Sequence, residues 1–399
     1  MLNEIIDLDK KYYMNTFGNR TPVVFNKGEG IKLYDTEGKV YYDFLAGIAV
    51  NALGHSNKDF IDALKAQLEK PLHTSSLYYI ENQARLAEKL VSISCADKVF
   101  FANSGAEANE GAFKLIKSYF YKKGMTQKTE IITLTNSFHG RTLATVAATG
   151  QPKYQKPYKP LLPGFVHVPM NDWSALEKAL SEKTAAITLE LIQGESGIYP
   201  VEKEYIGKIR DLCTKNDIIL MVDEVQTGIG RTGKMFAYEN FDIEPDVFTL
   251  AKALGGGIPI GAVCAKDFLA AAFEPGDHGT TFGGNPFATG AALAVLDIIE
   301  KDKLVENAKN TGDYFKAELN KLKEKHTLIK DVRGIGLMIG LEIDESVAKE
   351  VFGKLFENGF LASLCGGKTL RFVPALILTK QDIDLLVKVL DKILNEIKK

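Results

Sequence analysis

A lysine in a glycine-rich segment is the first residue of this sequence whose setting suits carbonyl chemistry. Lys252 follows the apolar residues Leu250 and Ala251 and precedes three consecutive glycines, Gly255–Gly257. Burial lowers the pKa of a lysine, and the neutral amine is the form that attacks a carbonyl carbon. Glycines also let the backbone pass close to a planar ligand. We therefore predict that Lys252 is a nucleophilic amine in a binding site, against the alternative of a plain glycine turn.

An aspartate earlier in the chain has a complementary setting. Asp223 follows the apolar run Ile218–Val222, and Gln226 lies three residues further on. A carboxylate at the end of a buried strand keeps its charge beside a cation, and the protonated nitrogen of a pyridine ring is such a cation. The pairing makes the ring a better electron sink, and Gln226 can bond a phenolic oxygen of the same ring. Together these residues predict a pyridine cofactor opposite Lys252.

A phosphate-binding turn and a carboxylate-binding arginine are also predicted. Ser104 and Gly105 precede a helical pattern that reaches about Tyr119. The free N–H groups and the positive dipole end of such a helix bind phosphate, although serine is also the ordinary helix cap. Phe138 can stack on a ring, and the planar fork of Arg141 can bind a carboxylate. Taken singly, Phe138 is more often a core aromatic and Arg141 a surface residue.

The elements that must position these side chains form an α/β pattern between residues 81 and 265. Helical patterns alternate there with short apolar runs, which predicts a largely parallel sheet. The predicted strands are Lys98–Ala102, Glu130–Thr135, Phe165–Pro169, Ala186–Leu191, Ile218–Val222, Asp246–Ala251 and Ala262–Ala265. Ligands bind beyond the carboxyl ends of such strands. Since Glu190, Asp223 and Lys252 lie at three of these ends, we expect them to converge in one crevice.

The pattern changes after residue 285. A long helical stretch, with a break near Asp302, is followed by strand-like segments, a helix and a final helix from Thr379. We interpret residues 286–399 as a small α+β domain and residues 51–285 as the large domain. Residues 1–50 are predicted to form an arm and part of the small domain.

Composition excludes several classes of partner. The chain has 399 residues and a formal net charge of -2, which favours neither nucleic acid nor a membrane surface. No apolar run approaches the roughly 20 residues that span a bilayer. The charged segment Met1–Lys11 does not resemble a signal peptide, so we expect a cytoplasmic protein. The four cysteines are widely separated, which predicts neither disulfides nor a metal site.

Two motifs suggest other functions. Gly228–Gly233 matches G-x-G-x-x-G after a predicted strand, which leaves a nicotinamide-dependent dehydrogenase as an alternative. That fingerprint must open a helix, however, and Pro245 follows too soon for a long one. Val222–Glu224 resembles the acidic end of a Walker-B strand, but no P-loop accompanies it.

Taken together, the motifs resemble the class III aminotransferases, which are pyridoxal 5'-phosphate (PLP) enzymes of fold type I. The resemblance covers nearly the whole chain and is carried by Gly28–Gly30, Tyr34–Gly38, Asp43–His55, Asn103–Asn109, Phe138–Leu143, Gln193–Glu195, Asp223–Gly233, Lys252–Gly257 and His278–Pro286. It implies a large domain with a mostly parallel seven-stranded sheet and a smaller α+β domain. Within the class, the sequence is most similar to members that use acetylornithine in arginine biosynthesis.

The resemblance also implies roles toward the cofactor. Lys252 would bind it covalently and move the proton, and Asp223 would pair with the pyridine nitrogen. Further contacts would come from Phe138, Val225 and Gln226 at the ring and from Ser104, Gly105, Ala106 and Thr281 at the phosphate. Since Thr281 would reach across from a second subunit, the resemblance implies a homodimer with shared sites.

Substrate roles follow from the same resemblance. Arg141 and Thr280 would hold the carboxylate end of the amino donor, with Glu195 nearby. Glu190 would neutralise Arg371 for the donor and release it for 2-oxoglutarate, which carries two carboxylates. A departure from the family is Leu191, where many members have proline, and another is Thr280, where many have serine.

The identity of the donor stays open at this point. Acetylornithine is favoured, but ornithine, succinylornithine, succinyl-diaminopimelate and 4-aminobutyrate are alternatives, because one acyl or methylene difference changes binding by only about 1–3 kcal/mol. A non-catalytic PLP-binding regulator is the alternative from another class. The chain keeps Lys252 and has no basic helix-turn-helix extension, which favours the enzyme.

Overall fold

The computed structural model describes residues 1–397. Its N-terminal part combines four helices with a small antiparallel sheet. The helices are α1 (Leu2–Tyr12), α2 (Ala46–Ala49), α3 (Lys58–Leu68) and α4 (Glu81–Ser92), and the strands are β1 (Phe25–Glu29), β2 (Lys32–Asp35) and β3 (Val40–Asp43). No residue of the amphipathic helix α1 is buried.

The central sheet has seven strands, at the places where the sequence predicts them. They are β4 (Lys98–Ala102), β5 (Glu130–Leu134), β6 (Phe165–Val168), β7 (Thr184–Leu189), then, after the hairpin β8 (Ile192–Gln193) and β9 (Tyr199–Pro200), β10 (Ile219–Asp223), β11 (Val247–Leu250) and β12 (Gly261–Ala265). Their spatial order is β4-β12-β11-β10-β7-β5-β6. Only β12 runs antiparallel to its neighbours. The prediction of a mostly parallel seven-stranded sheet is confirmed.

Helices cover both faces of this sheet, because every residue of β7, β10 and β11 is buried. The helices of this region are α5 (Gly105–Lys122), α6 (Leu143–Ala148), α7 (Pro152–Gln155), α8 (Trp173–Ala179), α9 (Lys203–Asn216) and α10 (Asp267–Ala270), with 3-10 turns at Lys156–Tyr158, Ala237–Phe241 and Lys252–Gly255. The longest, α5, places its buried side on the sheet and its first residue at the end of β4.

Antiparallel β12 brings its first residue to the edge where the parallel strands end. A Cβ atom built on Gly261 would lie 2.3 Å from the carbonyl oxygen of Ser104. No side chain fits in that space, so glycine is required where the start of β12 meets the turn after β4.

The C-terminal part is an α+β arrangement. Its elements are α11 (Pro286–Lys301), α12 (Leu304–Lys325), β13 (Ile329–Ile335), β14 (Met338–Ile343), α13 (Glu345–Glu357), β15 (Phe360–Leu361), β16 (Ser363–Cys365), β17 (Thr369–Phe372) and α14 (Lys380–Ile397). Four of the strands form a sheet of order β13-β14-β17-β16, and β15 pairs with β3. The break expected near Asp302 is confirmed, since this residue caps α11. The domain boundaries at residues 50 and 285 stay a prediction.

The alternative functions lose their structural support. Gly228–Gly233 leads only to the short 3-10 turn Ala237–Phe241, so it opens no dinucleotide-binding helix.

Among residues 1–397, no helix is long and apolar enough to cross a membrane, and no group of three or more His, Cys, Asp or Glu side chains is arranged to hold a metal ion.

Candidate active site

A cavity of about 410 Å³ opens where the parallel strands of the central sheet end. Its walls come from the turn after β4, the loop after β5, the residue after β7, the end of β10 and the turn after β11. Lys252, Asp223 and Glu190 all line it. The structure therefore brings together the three strand-end residues that the sequence pattern singled out.

Asp223 is the buried last residue of β10, and it sits in a polar network. Its Oδ2 accepts a hydrogen bond from Asn109 Nδ2 at 2.8 Å and lies 2.8 Å from His139 Nδ1. Its Oδ1 accepts only the N–H of Val225, at 3.0 Å. Thr249 Oγ1 in turn donates to Asn109 Oδ1 at 2.7 Å. The network leaves Oδ1 of this carboxylate as the oxygen that can receive a further donor from the cavity.

Asn109 and His139 are residues that the sequence analysis did not single out, although both lie in stretches that carry the family resemblance. Burial by itself lowers the pKa of His139, but the hydrogen bond to Asp223 and the negative charge of that residue outweigh it, so the pKa lies above its usual value. His139 and Asp223 thus form a buried pair at the wall of the cavity.

Lys252 begins the 3-10 turn after β11 with a left-handed backbone, φ 45°. This conformation is unfavourable for a residue with a Cβ, by about 1–3 kcal/mol, and such residues cluster at functional sites. Burial lowers the pKa of the Lys252 amine, and the nearby carboxylate of Glu195 opposes that shift only partly. The amine is thereby moved toward the neutral, nucleophilic form that the sequence predicts.

The start of α5 forms one end of the cavity. Ser104 caps this helix by accepting the N–H of Glu107, while Gly105 and Ala106 begin its first turn and line the cavity. A Cβ on Gly105 would lie 2.8 Å from the side chain of Val225. Glycine is therefore needed for the first turn of an 18-residue helix to pack so closely on the end of β10. The geometry forms a backbone cradle with the dipole of a long helix behind it.

Glu190 follows β7 and is directed toward backbone amides. Its Oε2 accepts the N–H of Phe138 at 2.8 Å, and its Oε1 accepts the N–H of Gly194 at 3.4 Å. Burial raises the pKa of Glu190 to about 7. The carboxyl group thus fixes the loop that carries Phe138, and it makes no contact with Arg371.

Arg371, on β17, pairs instead with Glu195. The distance between Arg371 Nη1 and Glu195 Oε1 is 2.5 Å, and the same nitrogen lies 3.3 Å from Gln226 Oε1. Burial raises the pKa of Glu195, but the charge and hydrogen bond of Arg371, with smaller contributions from Lys252 and Gln226, together lower it. The structure thus does not bring Glu190 and Arg371 together as the sequence predicted. The hairpin between β8 and β9 carries Glu195 to β17, whereas Glu190 stays at the end of β7.

Arg141, in contrast, contacts no carboxylate within the described residues. Its side chain is exposed at the mouth of the cavity, and its guanidinium carbon lies 3.8 Å from the centroid of the Tyr154 ring. Phe138 contributes a second ring 5.4 Å away. One arginine of the site is thus free for an anionic ligand, while the other, Arg371, is covered.

Thr280 and Thr281 do not line the cavity of their own chain. Thr280 Oγ1 accepts hydrogen bonds from Asn103 Nδ2 at 3.3 Å and from the N–H of Gly283 at 3.1 Å. Thr281 is exposed beside Phe282, which is 62% exposed. Within one chain, Thr280 is half-buried and Thr281 is exposed, and neither lines the cavity.

Comparison with known proteins decides the family. The sequence pattern described as "Aminotransferase class-III" matches residues 13–394. The chain is a class III aminotransferase. Such enzymes use PLP, and the cavity of this aminotransferase fits that cofactor: the α5 cradle suits a phosphate, Oδ1 of Asp223 suits a protonated ring nitrogen, and Lys252 suits an aldehyde.

Relatives of this aminotransferase extend over nearly its whole length. It is 51% identical to the acetylornithine aminotransferase of Methanocaldococcus jannaschii, over 99% of this chain and 98% of the relative. It is 49% identical to the acetylornithine aminotransferase of Caldanaerobacter subterraneus, over 99% and 100%. Among solved structures, the ornithine aminotransferase of Toxoplasma gondii superposes with a TM-score of 0.95 at 31% identity, covering 100% of this chain and 96% of that one.

Proposed function

We propose that this aminotransferase transfers the terminal amino group of N2-acetylornithine to 2-oxoglutarate, in a ping-pong reaction of arginine biosynthesis. The observation that carries the proposal is the unequal state of the two arginines. Arg141 is free of carboxylates, whereas Arg371 is covered by Glu195. A donor with one carboxylate needs only Arg141, and an acceptor with two needs both. Relatives that are 46–51% identical and are named acetylornithine aminotransferases support this donor.

The residues of the cavity have distinct tasks in this proposal. When bound, PLP supplies an aldehyde carbon and an electron-withdrawing ring. Lys252 would bind that carbon and move the proton, and Asp223, held by Asn109 and His139, would keep the ring nitrogen protonated. The first turn of α5, with Ser104, Gly105 and Ala106, holds the phosphate. Ring contacts come from Phe138, Val225 and Gln226.

Glu195 takes the switching role for which the sequence suggested Glu190. With the donor bound, Glu195 neutralises Arg371, so that no second carboxylate is required. With 2-oxoglutarate bound, Arg371 leaves Glu195 and binds the second carboxylate. Glu190 contributes by holding the backbone of Phe138 and thereby the ring that stacks on the cofactor.

A homodimer is part of the proposal, and this chain works in it as a cytoplasmic enzyme. Thr281 then reaches the phosphate, and Thr280 the substrate, of the partner subunit. Support comes from the exposed apolar surface of this chain, where Leu77 is 85% and Tyr78 is 70% exposed. A second copy that covers this surface removes large apolar areas from water.

Mixed dimers test this arrangement. Subunits carrying Lys252→Ala and subunits carrying Thr281→Ala, each poorly active alone, are expected to regain activity when mixed, because one of the two sites is then intact. No recovery, together with a monomer in light scattering, excludes shared sites.

A panel of amine donors tests the substrate. With 2-oxoglutarate as acceptor, kcat/KM for acetylornithine is expected to exceed the values for ornithine, succinylornithine, succinyl-diaminopimelate and 4-aminobutyrate. A higher value for any other donor replaces acetylornithine in the proposal. The same enzyme should lose its visible absorbance band when acetylornithine is added alone, whereas a non-catalytic PLP-binding regulator would keep it.

A further inference from the structure

The residue that holds Arg141 is Tyr154, which the family motifs quoted above do not include. The guanidinium carbon of Arg141 lies 3.8 Å from the centroid of the Tyr154 ring, the distance of direct stacking. The ring of Phe138 meets the Tyr154 ring edge-on, with centroids 5.9 Å apart and an interplanar angle of 81°. Tyr154 therefore contacts both the free arginine of the site and the aromatic residue of the cofactor wall.

The segment that carries Tyr154 is fixed on both sides. Gln151 Nε2 donates to the carbonyl oxygen of Ser137 at 3.0 Å, which ties the start of α7 to the loop before Phe138. Gln155 Nε2 donates to the carbonyl oxygen of Thr149 at 2.8 Å, which ties its end to the residue after α6. These ties hold the backbone that carries Tyr154, and Phe138 and Arg141 both pack against its ring.

We propose that Tyr154 is a positioning residue that sets the affinity of the enzyme for carboxylate-bearing substrates. An arginine side chain loses rotamer freedom when it binds a ligand. Stacking on Tyr154 restricts Arg141 beforehand. Since Arg141 pairs with no carboxylate among residues 1–397, its N–H groups stay free for the carboxylate of a ligand. The inference rests on the proposed function, which places the donor's carboxylate at Arg141.

A set of four variants separates the ring from its surroundings. Tyr154→Leu removes the ring, and Tyr154→Phe keeps the ring but removes the hydroxyl. Lys153→Met removes the other cation over the same ring, whose ammonium lies 4.7 Å from the centroid. Tyr158→Leu, in the next turn, removes a tyrosine that is 54% exposed and serves as the matched control.

The donor half-reaction is followed by loss of the visible absorbance band, so that the acceptor is not involved. Tyr154→Leu is expected to raise the half-saturating acetylornithine concentration about two- to fivefold, the range expected for one exposed cation–π contact, with less than a twofold change in maximal rate. The half-saturating concentration should equal that of the wild type in the other three variants, Tyr154→Phe, Lys153→Met and Tyr158→Leu. With pentylamine, which has no carboxylate, Tyr154→Leu should also match it.

Two results overturn the inference. One is an equal loss of affinity for acetylornithine and pentylamine. The other is a weaker equilibrium binding of PLP to Tyr154→Leu that accounts for the whole effect, since the ring would then act through Phe138. If the wild type rejects acetylornithine, the donor proposal fails instead, and the same variants are compared on the carboxylate-bearing donor that the panel identifies.

Discussion

Glu195 and Arg371 form an ion pair between two segments that are distant in sequence, with 2.5 Å between Oε1 and Nη1. Glu195 belongs to the hairpin of β8 and β9, and Arg371 belongs to β17 of the C-terminal sheet. The side chain of Arg371 is 3% exposed, so removing Glu195 leaves a buried guanidinium without a carboxylate partner. Any ligand that brings a carboxylate to this point competes with Glu195.

Substitution of this carboxylate should change which substrates the enzyme prefers. In Glu195→Gln, Arg371 is uncovered, so dicarboxylates such as glutamate gain relative to acetylornithine. We expect the ratio of their kcat/KM values to shift by about tenfold or more, corresponding to about 1.4 kcal/mol. Glu190→Gln is the matched control, and its ratio should stay near that of the wild type. A larger shift of this ratio in Glu190→Gln would show that Glu190, and not Glu195, is the switching residue.

The carboxylate of Asp223 should be needed for catalysis more than for folding. Asp223→Asn keeps the size of the side chain but removes the negative charge beside His139 and the cavity. Loss of a charged hydrogen bond of about 1.5–3 kcal/mol predicts a kcat lower by roughly ten- to hundredfold. Thermal unfolding of the PLP-free protein checks that the fold persists. An unchanged kcat would exclude Asp223 from the ring nitrogen.

The close contact between α5 and Val225 predicts an effect of one methyl group. In Gly105→Ala, the new Cβ meets the Val225 side chain at 2.8 Å and pushes the first turn of α5 away from the cavity. We expect weaker binding of PLP and of inorganic phosphate, measured by calorimetry. Gly207→Ala is the control, because nothing lies within 4 Å of its Cβ. That helical substitution should raise stability by about 0.5–1 kcal/mol and leave PLP binding intact.

The buried Glu190 predicts a pH dependence of stability. Burial raises the pKa of Glu190 to about 7, above its ordinary value of 4.5, so between these values the folded protein binds more protons than the unfolded chain. The stability that Glu190 contributes is therefore complete below pH 4.5 and is lost as the pH rises through 7. The free energy of unfolding of Glu190→Gln should be closest to that of the wild type near pH 5 and should rise relative to it up to about pH 8. Urea unfolding of the PLP-free protein at several pH values measures this, with exposed Glu182→Gln as control.

The sequence predicts this fold well where local pattern determines structure. Apolar runs and the residues that follow them locate the strands, and parallel direction then brings Asp223 and Lys252 to one edge. The partner of Arg371, in contrast, could not be predicted from a local sequence pattern. Glu190 and Glu195 are both glutamates near the end of β7, and only the path of the β8–β9 hairpin determines which one reaches β17. Asn109 and Tyr154 escaped notice for a similar reason, since their contacts arise from packing of helices on distant loops.

The glycine at the start of β12 limits how this site can be remodelled. Gly261 and the Ser104 carbonyl touch through bare backbone, so no amino-acid replacement can widen or reshape that boundary without separating two strands of the sheet. Variation in substrate choice is consequently expected on the rim where substrates bind, formed by the loop that carries Arg141, the β8–β9 hairpin and β17. Libraries built to accept bulkier amines should therefore randomise residues on that rim and leave the cofactor side untouched.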